Sequence, residues 1–196
     1  MFSRFDRLRE GLRRRYAEPH RAYHGQSHID ALRAVLVRER AIFHNPDAVE
    51  LAIWYHDAVY DPMGKNNEAA SAALLRTELT GVVVPQVVDS AERLVLATGG
   101  HRVPDDCPPE EAGDCALFLD MDLAVLGQGA DQFAAFEAGI EAEFRPHYDW
   151  MTYRAGRAGV LRAFLQRDTI YLTERYRDRY ETAARDNIAL ALARYR

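Results

Sequence analysis

Cysteine is nearly absent from this 196-residue chain: Cys107 and Cys115 are the only two. That is too few for a disulfide framework and argues against the small secreted scaffolds that depend on one. No charged-then-apolar leader opens the sequence, so a reducing cytoplasm is the expected location. No apolar run approaches the roughly 20 residues that span a bilayer, and a soluble protein is expected. Alternating β-branched residues are confined to Val82-Val83-Val84, which leaves an all-α class. Internal repeats and low-complexity tracts are missing as well. The net charge of −5 argues against general nucleic-acid affinity. Arg4, Arg7, Arg9, Arg13, Arg14 and Arg15 make the start of the chain locally basic, and a solvated helical face accounts for them most simply.

What is present is a sequence that can build a core. Its hydrophobic content of 48% and its length suit one domain over residues 1–196. Ser27 with Asp30 three residues on reads as a helix start, and Asn45-Pro46-Asp47 supplies a cap, a first-turn proline and an acid for the helix dipole. Further helices are predicted from Asn66 or Asn67 to just before Gly81, and from Pro85 to Gly99-Gly100. Three prolines, several acids and a glycine mark 101–113 as an exposed loop. Helices follow over 115–126, 130–145, 150–167 and 178–195. Phe133, Phe136, Ile140 and Phe144 form a stripe expected to face a core.

Against this background one doublet stands out. His56-Asp57 closes the apolar run Leu51-Ala52-Ile53-Trp54-Tyr55, and burying an imidazole and a carboxylate there is costly unless each has a partner. A divalent cation partners both, and so would a plain His-Asp hydrogen bond. His28 lies upstream on a separate predicted helix, with His24 in the turn before it. Downstream, Asp120 and Asp122 differ by about 200° around a helix, so only one can face a given site. Asp122 shares its side with Cys115, Phe118, Leu119, Val125 and Leu126, and a carboxylate amid such a face calls for a cation or strong hydrogen bonds. Asp120 is left to a supporting role or to capping a neighbouring helix.

The order of these residues resembles the HD superfamily of metal-dependent phosphohydrolases, and within it a small single-domain group. The resemblance rests on Arg21-Ala22-Tyr23-His24 through His28, on 52–60 around His56-Asp57, and on Asn67-Glu68-Ala69-Ala70-Ser71-Ala72. It continues in Ala97-Thr98 with His101, Asp120 through Gly127, and Gly156-Arg157 with Val160-Leu161. It implies a helical bundle with a central metal site, His28, His56, Asp57 and Asp122 as ligands, and Glu68 beside the attacking water, with Asp57 sharing in catalysis. One departure is Ile140-Glu141, where the group carries an Ile-Arg pair. On charge and position, His24, Lys65, His101, Arg145, Tyr153 and Arg157 are candidates for substrate contact.

Two nitrogen and two carboxylate ligands suit one Mn²⁺, Mg²⁺, Co²⁺, Ni²⁺ or Fe²⁺ ion with positions left for water and phosphate. The expected function is release of phosphate or pyrophosphate from a small phosphorylated metabolite, a nucleotide above all, by a monomer or homodimer that binds neither membrane nor general nucleic acid. The alternatives are a non-catalytic nucleotide-binding module of the same type and a dinuclear iron oxygenase. The latter needs more histidines between the doublet and Asp122 than His101 alone provides. A zinc site from His101, Cys107 and Cys115 matches no structural-zinc spacing.

Overall fold

Helix α3 (Pro46–Tyr55) is apolar around most of its circumference, Asp47 and Glu50 excepted, and that property fixes its place. Ala48, Val49, Leu51, Ala52, Ile53, Trp54 and Tyr55 are all buried, as so wide an apolar surface requires. Asn45 caps it by accepting from the Ala48 amide at 3.1 Å, with Pro46 in the first turn. Around it lie α1 (Arg4–Tyr16), α2 (Gln26–Glu39), α4 (Asn67–Leu79) and α5 (Pro85–Ala97), each packed on α3. In this computed structural model residues 4–195 are described, with side chains from residue 7 on, so the Arg4 side chain lies outside the described part.

The chain forms two units, Met1–Leu119 and Asp120–Arg196. The division falls inside α6 (Pro109–Leu123), a single unbroken helix. Leu12, Ile29, Leu32, Leu75, Val88, Val95, Phe118 and Leu119 complete the first core around α3. The second unit continues from α6 through a 3-10 turn (Ala124–Gly127) into α7 (Ala130–Phe144), α8 (Trp150–Leu165) and α9 (Glu174–Arg194). Phe133, Phe136 and Ile140 are buried there, as their spacing predicts, and Phe144 is half-buried. Gly127 meets α9 so closely that a Cβ would stand 2.6 Å from the Tyr180 Cβ and 2.8 Å from its carbonyl oxygen.

No strand occurs among the described residues, so the fold is all-α; Val82-Val83-Val84 yields only an isolated bridge between Thr80 and Val83. Three helix starts differ from the sequence expectation. Helix α2 begins at Gln26 behind Gly25, not behind a Ser27 cap. A Cβ on Gly25 would lie 3.3 Å from the Tyr16 carbonyl oxygen, so this small residue lets the turn close against the end of α1. Helix α6 starts at Pro109, inside the expected loop, with Glu110 and Glu111 in its first turn; proline at the first helical position followed by acids is favourable for a helix start. Helix α9 starts at Glu174 because Thr173 caps it, four residues before the expected 178. No described helix is long and apolar enough to cross a membrane.

Candidate metal centre

The doublet stands where α3 ends. His56 is the C-cap residue of α3, its amide still bonded to the Ala52 carbonyl, and Asp57 follows in the turn beyond. His28 sits in the first turn of α2. Their reactive atoms converge: the Nε2 atoms of His28 and His56 are 3.2 Å apart. Asp57 Oδ2 lies 3.0 Å from His56 Nε2 and 3.9 Å from His28 Nε2. His56 and His28 are buried, at 1% and 8% exposure.

The other nitrogen of His56 explains why this matters. Nδ1 faces the Ile53 carbonyl oxygen at 3.1 Å, an atom that only accepts, so Nδ1 carries the proton. Nε2 then faces an ionised carboxylate, which also only accepts. Either the buried imidazole holds two protons, or its Nε2 lone pair and the carboxylate share a cation. A carbonyl that fixes the tautomer through the far nitrogen is the usual outer support of a metal-bound histidine. Octahedral ligands about 2.1 Å from an ion lie about 3 Å from their neighbours; the 3.0 and 3.2 Å separations from His56 Nε2 fit that spacing, whereas the 3.9 Å between His28 Nε2 and Asp57 Oδ2 is wider.

Asp122 belongs to the second unit and is half-buried. It stands on the last turn of α6, whose Phe118 ring meets the His56 ring edge-on at 5.9 Å in the first unit. Asp120 points elsewhere. Its carboxylate accepts from the Leu172 amide at 2.7 Å, from the Thr173 amide at 2.8 Å and from the Thr173 hydroxyl at 2.6 Å, so it secures the start of α9. Asp120, not Asp122, is the more deeply buried of the two. Burial pushes its carboxyl up in pKa, against the lowering effect of those bonds.

Electrostatics favour an ionised Asp57. Burial by itself would raise its pKa, but the imidazoles of His56, His24 and His28, together with the His56 hydrogen bond, outweigh it and hold the carboxyl well below the usual range. His24 occupies the turn before α2, as expected, stacked on Tyr60 at 4.4 Å and edge-on to His28 at 6.4 Å.

No family model, no curated protein and no solved structure matches the chain.

The remaining candidates lie as follows. Glu68 is half-buried in the first turn of α4 and packs against Gly99, where a Cβ would stand 3.5 Å from its Cγ. His101 is the non-glycine residue with positive φ among the described ones, at 46°, a conformation uncommon outside glycine but adopted by histidine more often than by most residues. Lys65 is exposed in the loop before α4. Arg145, Tyr153 and Arg157 belong to the second unit. Arg145 donates to the Tyr148 carbonyl at 2.6 Å and lies over Trp150. Arg157 is held by the buried Glu137, which also accepts from the Tyr195 hydroxyl at 3.0 Å. Tyr153 is buried, and that burial pushes its hydroxyl up in pKa.

Other motif residues have structural work. Asn67 clamps the loop after the doublet, accepting from the Asp61 amide at 3.1 Å and donating to the Asp61 carbonyl at 2.9 Å. The Ser71 hydroxyl accepts from the Val59 amide at 3.0 Å. Nothing in their composition marks them as loop clamps; the only signal is that they flank Glu68 in the segment that carries the resemblance.

Proposed function

We propose that this chain is a metal-dependent phosphohydrolase of HD type, releasing phosphate or pyrophosphate from a small phosphorylated metabolite, with a nucleotide as the first candidate. The observation that carries the reading is the convergence of His28 Nε2, His56 Nε2 and Asp57 Oδ2, with the His56 Nδ1 side committed to the Ile53 carbonyl. Two neutral nitrogens with Asp57 and Asp122 form a mixed donor set suited to one hexacoordinate divalent ion such as Mn²⁺, Mg²⁺, Co²⁺, Ni²⁺ or Fe²⁺.

Such an ion, when bound, neutralises phosphoryl charge and acidifies water. The chain's own residues do the rest. His28, His56, Asp57 and Asp122 hold the centre. Asp57 stays ionised and takes part in orienting the attacking water, and Glu68 accepts its proton. His24, His101 and Lys65, all in the first unit, contact the phosphorylated substrate. A soluble protein of the reducing cytoplasm is the setting in which such a metabolite would be met.

The test is an assay of chelated protein, and of protein reloaded with Mn²⁺ or Co²⁺, against nucleotides and sugar phosphates. Metal-dependent release of phosphate or pyrophosphate, abolished in Asp57→Ala, is the expected result. A loaded protein that turns over nothing in the panel while binding a nucleotide tightly would replace the hydrolase by a binding module.

A further inference from the structure

Arg21 is the most heavily engaged side chain beside the centre, and its partners are informative. Its side chain has no solvent exposure. One terminal nitrogen donates both to the Asp57 carbonyl at 2.7 Å and to the His24 carbonyl at 3.0 Å. The other donates to the Ala58 carbonyl at 3.2 Å, and Nε donates to Glu18 at 3.0 Å. The guanidinium lies over the rings of Tyr16 and Tyr60, at 5.2 and 5.3 Å, which fixes its plane.

We propose that Arg21 is the positioning residue of the candidate metal centre: a single guanidinium ties the main chain of the His-Asp doublet to the turn that delivers His28. The inference rests on the metal-centre reading above and goes beyond it, because Arg21 offers no ligand atom and acts through Asp57 and His28.

The physical case is one of geometry. Asp57 lies past the end of α3, where no helical ladder holds its backbone, and the amide of Ala58 returns only to the Tyr55 carbonyl. Its side-chain direction therefore depends on what fixes the turn. His24 precedes His28 by four residues, and the intervening Gly25 bonds back to the Tyr23 carbonyl at 2.8 Å, so a tether at His24 sets where α2 begins. The planar, five-donor fork of arginine can span three carbonyls at fixed angles, whereas a lysine ammonium is one point on a flexible stem. Supports of this outer kind orient metal ligands, and losing one costs about 10–100-fold in metal affinity.

The experiment compares Arg21→Lys and Arg21→Ala with the wild-type chain, using calorimetric titration of Mn²⁺ into chelated protein and the visible spectrum of the Co²⁺ form. Thermal melting of the metal-free proteins monitors folding separately. The Lys variant keeps the charge and the stem, and it decides the matter if the Ala variant does not fold. Mn²⁺ binding about 10–100-fold weaker in a folded Lys variant, with altered Co²⁺ bands, is expected. Variants that melt earlier but bind Mn²⁺ as the wild type does, with an unchanged Co²⁺ spectrum, would reduce Arg21 to a structural part. A wild-type chain that takes up neither ion overturns the centre itself and the positioning role with it.

Discussion

The Nε2 atoms of His28 and His56, brought from two different helices, stand 3.2 Å apart. Two buried imidazoles at that distance need either a shared proton or a shared cation. The carbonyl behind His56 and the carboxylate in front of it suit either one, and the proposed function takes the cation. Removing either ring should therefore remove the ion. His28→Ala and His56→Ala are each expected to lower bound metal, measured by elemental analysis after loading and desalting, from one per chain to a small fraction. Undiminished metal content in both variants would place the ion elsewhere.

Asp120 and Asp122 are two residues apart and should separate cleanly. Asp120→Ala strips the start of α9 of an acceptor for two amides and a hydroxyl. A cost of about 2 kcal/mol, with a lower melting temperature, is expected. Asp122→Asn should instead weaken metal binding while leaving the melting of the metal-free protein nearly unchanged. Melting curves and metal titrations on both variants check the pair; a reversed pattern would exchange their roles.

These two carboxylates also show what could be read in advance. The helical angle separates Asp120 from Asp122 and leaves one free for a neighbouring element, and the structure has Asp120 holding the Leu172 and Thr173 amides just ahead of α9, whose cap is Thr173. The α3 cap was legible because Asn45, Pro46 and Asp47 act locally, through bonds within one turn. The start of α6 was not, because Pro108-Pro109 with acids signals a loop and a helix start equally well, and tertiary contacts choose. Asp114 supplies one such contact by accepting from the His44 and Asn45 amides at 2.8 and 2.7 Å. His28 and His56 were legible as a pair from type and order. The Ile53 carbonyl behind His56 and the three carbonyls around Arg21 were not, because every residue carries a carbonyl and only the fold says which one faces a ring or a guanidinium.

The proton-transfer role proposed for Glu68 needs its carboxylate but not its shape. Glu68→Gln should cut turnover by about 10²–10⁴-fold and leave Mn²⁺ affinity within a few-fold of wild type. Steady-state kinetics with a parallel metal titration measures both. Equal losses in the two would make Glu68 part of the metal's support.

Gly127 tests the packing of the second unit independently of any chemistry. A methyl group there would meet the Tyr180 Cβ at 2.6 Å and its carbonyl oxygen at 2.8 Å, and backbone cannot move aside cheaply. Gly127→Ala is expected to destabilise the protein by about 1–3 kcal/mol, read by urea denaturation. A midpoint equal to wild type would contradict the close approach.

Burial pushes the Cys115 thiol up to about 12, with the neighbouring Cys107 adding to the shift. A raised thiol pKa favours the neutral form in the folded state. Its contribution to stability is therefore complete below the ordinary thiol pKa and is lost as pH rises from there toward about 12. At neutral pH Cys115 should react with a disulfide reagent far more slowly in the native protein than in urea. Prompt native labelling at Cys115, located by mass spectrometry, would contradict this burial.

The most direct measurement is a titration of Mn²⁺ into chelated protein while phosphate and pyrophosphate release from a nucleotide panel is followed. Release that rises with Mn²⁺ and levels off at one ion per chain is predicted. No release at any Mn²⁺ concentration, from a chain that calorimetry shows to be loaded, would contradict the hydrolase account.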